Sequence, residues 1–227
     1  MTYLLYFIFA LLPSIIWLLF YLRKDAHPES NRMILKIFFF GMLITGPAIF
    51  LEMAIFEVFG KLNFSSFTIL ILNIFFGAAL IEESLKFLVV KWQVFNNPEL
   101  NEPVDTMLYM IISALGFAAG ENLLILFPLK STFLSQIVGV SLIRFLGATF
   151  LHALASAIVG FFIGLSFFRK KERVKLISFG LFLAILLHGL YNFSIMEMRG
   201  SLRVLIPFFL LLTSAIFVSF GFKRLKK

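Results

Sequence analysis

The sequence predicts an all-α, polytopic membrane protein with about seven transmembrane helices and a polar site between spans three to six. Of its 227 residues, 61% are apolar and only 14% are charged, and the mean hydropathy is +1.01. A soluble domain is closer to half apolar and a quarter charged. The apolar residues also fall in blocks of about 20, the length that crosses a bilayer as a helix. Because the chain has no Cys, disulfides and thiolate–metal sites are excluded.

Seven apolar segments are long enough to cross a hydrocarbon core of about 30 Å. They are about Thr2–Leu22, Ile34–Phe56, Ser66–Val90, Val104–Phe127, Arg144–Phe168, Lys175–Ile195 and Leu202–Phe222. The first has no basic residue before it and no small-residue cleavage site, so we interpret it as a retained helix instead of a signal peptide. The stretch 133–168 exceeds one crossing, and its first part is assigned to an interfacial segment or a helix extension.

Basic residues test this layout, because Lys and Arg concentrate in cytoplasmic loops. Fourteen of the 20 lie on one set of alternate loops and at the C-terminal end, and four lie on the opposite side. The larger group comprises Arg23, Lys24, Arg32, Lys36, Lys91, Arg169, Lys170, Lys171, Arg173, Lys175, Lys223, Arg224, Lys226 and Lys227, and the smaller one Lys61, Lys130, Arg199 and Arg203. This split predicts a cell-membrane protein with an external N-terminus and a cytoplasmic C-terminus. The net charge of +8 then reflects topology and headgroup contact, so nucleic-acid binding is not predicted.

The organisation is that of one integral membrane domain, residues 1–227, with a motif-bearing core at about 66–195. The longest predicted loop, Trp92–Pro103, is too short for a soluble domain, and no internal repeat is visible.

Ionisable residues inside apolar spans mark the candidate site, because each costs about 2.5–3.5 kcal/mol at the bilayer centre. Spans three to six carry Glu82, Glu83, Lys86, Glu121, Arg144, His152 and His188, with Asn192 one turn after the last. Such groups must pair, line a wet cavity or lose their charge. A single polar cluster shared by the four spans accounts for all of them.

Helical spacing orients these groups. Glu82 and Lys86 are four residues apart and share a face, whereas Glu83 is rotated by about 100° from Glu82. We therefore expect one carboxylate to pair with Lys86 and the other to face the cavity. His188 and Asn192 are also four apart and face the same way. Small residues in spans four and five, such as Gly116 and Gly160, predict close helix packing around the site.

Counting residues from the ends of the spans places the candidate site residues at unequal depths in the membrane. Glu82 lies about 16 residues from the external end of span three, while His152, His188 and Asn192 count closer to the external side. A tilted or broken span three would bring them to one level. The count favours the external half of the membrane.

Two carboxylates, two imidazoles and an Asn in a low-dielectric cavity suit hydrolysis by an activated water. A desolvated Glu serves as general base, the imidazoles bind a metal or the oxyanion, and Asn donates to developing negative charge. Glu and His donors without Cys suit Zn²⁺ with an open position, with a metal-free glutamate–water site as the alternative. No HExxH motif is present, so metal ligands would come from different helices. The lack of GxSxG and of any mid-span Asp disfavours serine and aspartyl mechanisms.

Four motifs resemble the PrsW intramembrane proteases, relatives of the CAAX prenyl proteases and of bacteriocin-processing or immunity proteins. They are Glu82-Glu83-x-x-Lys86, Gly116-Phe117-Ala118-x-x-Glu121-Asn122, Arg144 with His152, and His188-Gly189-x-x-Asn192. They occur in the family's order and span roughly half of the chain.

The resemblance implies a helical membrane metallopeptidase that cleaves membrane-anchored substrates such as anti-sigma factors. It implies a catalytic set of Glu82, Glu83, Glu121, His152 and His188, supported by Asn192, with His152, His188 and Glu121 as metal ligands. The CAAX relatives have His where this chain has Glu121, a departure that bears on the ligand set and on prenyl-peptide specificity.

Two other function classes fit the same residues. A proton- or cation-coupled transporter also uses mid-membrane carboxylates and His, but it usually shows an internal repeat and interrupted helices, neither of which the sequence indicates. A non-catalytic immunity or chaperone-like member would keep the cluster for stability alone.

Overall fold

The computed structural model describes residues 2–24, 27–129 and 133–226, and in these ranges all regular secondary structure is helical. The helices are α1 (Thr2–Leu22), α2 (Asn31–Leu43), α3 (Thr45–Gly60), α4 (Ser66–Leu72), α5 (Leu80–Val94), α6 (Asp105–Leu126), α7 (Leu134–Leu146), α8 (Ala148–Phe168), α9 (Arg173–Glu197) and α10 (Leu202–Leu225). A π-helical segment, Asn73–Ala79, joins α4 to α5, and short 3₁₀ turns cover Phe127–Leu129 and Lys170–Glu172. The basic residues Lys130 and Lys227 lie outside the described ranges.

Seven stretches are long and apolar enough to cross a membrane, which confirms the predicted polytopic fold. They are Tyr3–Leu22, Asn31–Gly60, Ser66–Val94, Asp105–Leu126, Leu134–Phe168, Lys170–Glu197 and Leu202–Leu225. Span two begins three residues before the predicted Ile34 because Ser30 caps it, accepting the Met33 N–H at 3.2 Å. The extra residues before Arg144 are a helix, α7, that continues span five.

Three of the spans are interrupted, and for spans two and five the sequence does not indicate it. Span two bends at Ile44, between α2 and α3, because the ring of Pro47 excludes the Leu43 carbonyl from helical bonding four residues back. Span five turns at Gly147, with φ −105° and ψ −97°, between α7 and α8. At Gly147 the Tyr191 hydroxyl fills the space that a side chain would need.

The third interruption is the π-helical segment of span three, directly before Glu82 and Glu83. It packs between α3 and α9, and Phe75 fills a space against Gly189 that a side chain there would take. π turns recur at functional sites. The segment interrupts span three, one of the two arrangements considered from the residue depths.

Helix α6 is the centre of the bundle. Every residue from Asp105 to Gly120 is buried, and the helix packs against α1, α2, α5 and α8. A Cβ at Gly116 would overlap the Phe38 carbonyl of α2, and one at Gly160 would overlap the α6 backbone at Met107, so small residues set these close approaches. Large apolar side chains such as Phe50 and Ile143 are exposed on the outer helices, as a lipid-facing surface requires.

Polar contacts between loops agree with the alternating topology. Ser30, in the loop after span one, donates to Glu99 at 2.7 Å, and His27 of the same loop contacts Glu102 at 2.7 Å. Glu99 and Glu102 follow span three. The two loops therefore lie on one side of the bundle.

Candidate active site

The ammonium group of Lys86 lies at the centre of a buried polar cluster. Its Nζ donates to Glu83 Oε1 at 2.8 Å, to Glu82 Oε2 at 3.2 Å and to His152 Nδ1 at 2.7 Å. These three contacts use all of its N–H groups. The Phe117 ring packs on the same ammonium at 4.5 Å. The expectation that only one carboxylate pairs with Lys86 is wrong, because residues three and four positions back both reach it.

The tautomer of His152 follows from these contacts. Lysine only donates, so His152 Nδ1 accepts and the ring proton of the neutral imidazole lies on Nε2. Nε2 then donates to Glu121 Oε2 at 2.6 Å. Glu121 also accepts from Arg144 Nη2 at 3.2 Å, and Arg144 Nε donates to Asn122 Oδ1. Both nitrogens of His152 are thus committed, and α6 and α7 fix the ring.

Glu83 is fully buried and makes hydrogen bonds through both carboxylate oxygens. Besides Lys86, its Oε1 accepts from His188 Nδ1 at 2.9 Å, and its Oε2 accepts from Ser156 Oγ at 3.2 Å. These partners come from α5, α8 and α9. Glu83 therefore holds three helices in register and orients the His188 ring.

Three carboxylate and imidazole atoms of the cluster have no hydrogen-bond partner among the described residues: Glu82 Oε1, Glu121 Oε1 and His188 Nε2. The side chains of Glu82 and His188 are nearly buried, whereas that of Glu121 is 25% exposed. The rings of His152 and His188 meet edge to face, with centroids 5.1 Å apart. Asn192, one turn beyond His188, is half-buried, and its amide has no hydrogen-bond partner in the described part of the chain. These groups can receive a water and a substrate.

The charges of the cluster do not cancel. Glu82, Glu83 and Glu121 face two cations, Lys86 and Arg144, so one negative charge remains when both imidazoles are neutral. Glu83 and Glu121 each have a contact below 3 Å with the cluster, whereas Glu82 lies 3.2 Å from Lys86 and 3.8 Å from His152. The least compensated carboxylate is therefore Glu82.

Three side chains of the cluster could together hold a metal ion. Ligand atoms of Glu82, His152 and His188 lie within 4.8 Å of one another, the number and kind of ligands in a catalytic zinc site. However, Lys86 already binds Glu82 Oε2 and His152 Nδ1, and His152 Nε2 binds Glu121. Two of the three ligands are thus in contact with a positive charge. In this arrangement the residues do not fit a cation unless Lys86 withdraws.

The structure brings five of the predicted site residues into one hydrogen-bonded cluster: Glu82, Glu83, Glu121, His152 and His188. Asn192 stands on the same helix as His188 without joining it. Glu121 contacts the far nitrogen of His152 and lies outside the group of possible metal ligands, which contains Glu82 instead.

Several contributing residues were not predicted. Ser156 is four residues after His152 on α8, so the spacing that paired His188 with Asn192 could have found it. Ser113 donates to the Lys86 carbonyl at 3.1 Å, and Asn122 donates to the Ala10 carbonyl of α1 at 3.0 Å. Glu52, on α3, lies within electrostatic range of Glu82 and Glu121. No sequence pattern places Glu52 there.

Comparisons with known protein sequences all identify the same family. A family model described as "PrsW family intramembrane metalloprotease" matches residues 29–220. Relatives named "Protease PrsW" include one from Bacillus subtilis, 29% identical over 92% of this chain and 88% of its own. Another from Oceanobacillus iheyensis is 29% identical over 88% and 87%, and one from Geobacillus kaustophilus is 32% identical over 76% and 71%. No solved structure matches the chain.

Proposed function

The chain belongs to the PrsW family of intramembrane metalloproteases and is a protease, and we propose that it cleaves membrane-anchored proteins inside the bilayer with a water activated by Glu82. The observation that carries this proposal is the buried cluster, in which Glu82 Oε1 and His188 Nε2 are uncommitted on nearly buried side chains, whereas Glu121 is held by both Arg144 and His152. The substrate class is a single-pass membrane protein of the anti-sigma-factor kind, or a membrane-associated peptide.

In the proposed reaction Glu82 is the general base. Its free oxygen takes a proton from water while the water oxygen bonds to the carbonyl carbon of the scissile peptide. The negative charge moves to the carbonyl oxygen, where the uncommitted amide of Asn192 donates a hydrogen bond. Glu82 then passes its proton to the peptide nitrogen as the carbon–nitrogen bond breaks. The products are a new carboxyl end and a new amino end.

The remaining residues position Glu82 and exclude bulk water. Lys86 fixes the second oxygen of Glu82, so the first is presented in one orientation. Glu83 fixes both Lys86 and His188, and the pair Glu121–Arg144 fixes His152. Positioning of this kind keeps the reacting groups aligned in a dry site.

We propose that the loops after spans one, three and five and the C-terminal end face the cytoplasm. The excess of Lys and Arg on these loops supports this orientation. It places the N-terminus outside, as the sequence predicts.

The position of Lys86 predicts that cleavage does not require a bound metal ion. Because Lys86 occupies the position between Glu82 and His152, we expect purified protein to contain much less than one zinc per chain and to keep its activity in phenanthroline. Elemental analysis and cleavage of a reconstituted substrate measure the two quantities. If the chelator abolished cleavage and Zn²⁺ restored it, Lys86 would have to leave the cluster in the active protein, and the metal-free mechanism would be wrong.

The proposed function itself is tested by quantitative N-terminal profiling of membrane proteins. Cells carrying the wild-type chain are compared with cells carrying Glu82→Gln at matched abundance, and Glu57→Gln, an exposed carboxylate of α3, serves as the control. We expect new juxtamembrane N-termini with the wild type and with the control only. The same profile in all three strains would favour the transporter or the non-catalytic alternative.

A further inference from the structure

A cleft between α1 and α10 lies outside the buried catalytic cluster, and Phe150 of α8 contributes to its wall. It has a volume of about 440 Å³ and forms where both helices end. Its walls are mostly aromatic and its rim is basic; the lining includes Trp17, Phe20, Tyr21, Lys24, Phe150, Phe222, Lys223 and Lys226. The Trp17 and Phe150 rings stack with centroids 4.1 Å apart, which makes the wall flat and rigid.

One polar group in this cleft lacks a partner. Tyr21 is only 4% exposed, yet among the described residues its hydroxyl makes no hydrogen bond. The oxygen is not sealed inside the protein, since the buried unpaired side-chain atoms of the described residues are Ser14 Oγ and Asn73 Oδ1, and it opens into the cleft. Its neighbours on the wall, Trp17 and Phe222, offer ring faces and no acceptor oxygen. The hydroxyl is therefore a donor that an acceptor entering the cleft would satisfy.

The rim carries uncompensated positive charge. Lys24, Lys223 and Lys226 are exposed, and none of them forms an ion pair within the described ranges. A second cleft, on the other side of α10, contains Arg169 and Arg224, but Arg169 already pairs with Glu172 at 3.9 Å. The α1–α10 cleft is thus the stronger anion site of the two.

We propose that the α1–α10 cleft binds an anionic phospholipid. The three Lys side chains and the Tyr21 hydroxyl would hold the headgroup phosphate, and the start of an acyl chain would lie on the Trp17–Phe150 wall. Helix ends with Lys beside aromatic rings are placed at the depth of the lipid headgroups. A free phosphate would use the basic rim but would leave the apolar wall uncovered. The joint arrangement favours a lipid.

Trp17 provides the probe, because the chain has only two Trp and the other, Trp92, is exposed on α5. In a Trp92→Phe background, the protein is reconstituted in phosphatidylcholine vesicles with a minor fraction of brominated lipid. Bromine quenches Trp fluorescence on contact. Brominated phosphatidylglycerol is compared with brominated phosphatidylcholine at the same fraction.

We expect phosphatidylglycerol to quench Trp17 at a concentration about tenfold lower than phosphatidylcholine, since Lys side chains near the membrane surface attract anionic lipid. Lys24→Gln/Lys223→Gln/Lys226→Gln should remove the preference, and Tyr21→Phe should weaken it. The charge-matched control Lys170→Gln/Lys171→Gln/Lys175→Gln should keep it. Thermal unfolding checks that each variant is folded.

Equal quenching by the two lipids, or an unchanged preference in the triple Lys variant of the cleft, would overturn the proposal. Displacement of the brominated phosphatidylglycerol by inorganic phosphate at moderate concentration would also overturn it, because the site would then recognise a free anion. Loss of the preference in the control variant would show a general surface effect and would equally refute a specific cleft.

Discussion

Replacing Glu82 by Gln reduces cleavage by about 10³-fold or more while the protein stays folded, because a general base contributes about 10²–10⁴-fold and no neighbour can replace it. The amide keeps the shape of the side chain and can still accept from Lys86 through its oxygen. It also removes the one negative charge that the cluster leaves uncompensated. We therefore expect thermal unfolding in detergent to be unchanged or to occur at a slightly higher temperature. Cleavage is measured on a reconstituted substrate.

Glu83→Gln is the matched comparison, because it also replaces one carboxylate oxygen by an amide nitrogen, in the adjacent residue. We expect it to lower both activity and stability, the latter by about 1–3 kcal/mol, because Glu83 bonds two charged or polarised donors in a dry interior. Thermal unfolding measures the difference: Glu83→Gln should unfold at a lower temperature than Glu82→Gln. If Glu83→Gln were the folded, inactive protein and Glu82→Gln the unstable one, the roles assigned to the two carboxylates would be exchanged.

Lys86→Met has the largest expected effect on stability. It removes a fully buried cation and leaves two carboxylates facing each other without a counter-charge. Losing one partner of a buried ion pair costs about 3–5 kcal/mol, a large share of the stability of a domain. We expect low abundance in the membrane and a strongly lowered unfolding temperature. Lys91→Met, on the exposed side of the same helix, should have little effect.

The double variant Lys86→Met/Glu83→Gln tests whether charge imbalance is the cause. Because it removes one of the two carboxylates that lose their counter-charge with Lys86, it should recover part of the lost stability, which a double-mutant cycle measures. Cleavage should not return, since nothing then orients Glu82. Additive losses in the cycle would mean that Lys86 stabilises the bundle through packing instead of through charge.

Sequence reasoning located the cluster because charge inside an apolar span is rare and each instance must be explained. The seven spans and the shared face of Glu82 and Lys86 follow from residue type and helical spacing alone. The pairing of both carboxylates with Lys86 was missed, because a long flexible side chain can reach either neighbour and spacing does not choose between them. Only the packing of α5 against His152 of α8 fixes where the ammonium lies.

The contacts that cross between distant spans could not be predicted. Arg144 meets Glu121 and Asn122 because span five turns at Gly147, and nothing in the sequence fixes the angle of that turn. Likewise, Glu52 lies on α3, after the interruption of span two near Pro47, and the effect of a proline on helix direction depends on the helices around it.

The π-helical segment makes the direction in which the later side chains of span three point depend on the number of residues in that segment. A helix whose bonding pattern includes an added residue has its later part rotated by about 100° relative to an unbroken α-helix. All of the site residues of this span lie after the segment Asn73–Ala79, whereas the residues of α4 lie before it. Substitutions inside the segment leave this phase unchanged. A deletion or insertion of one residue there turns Glu82, Glu83 and Lys86 together, away from the helices that bind them.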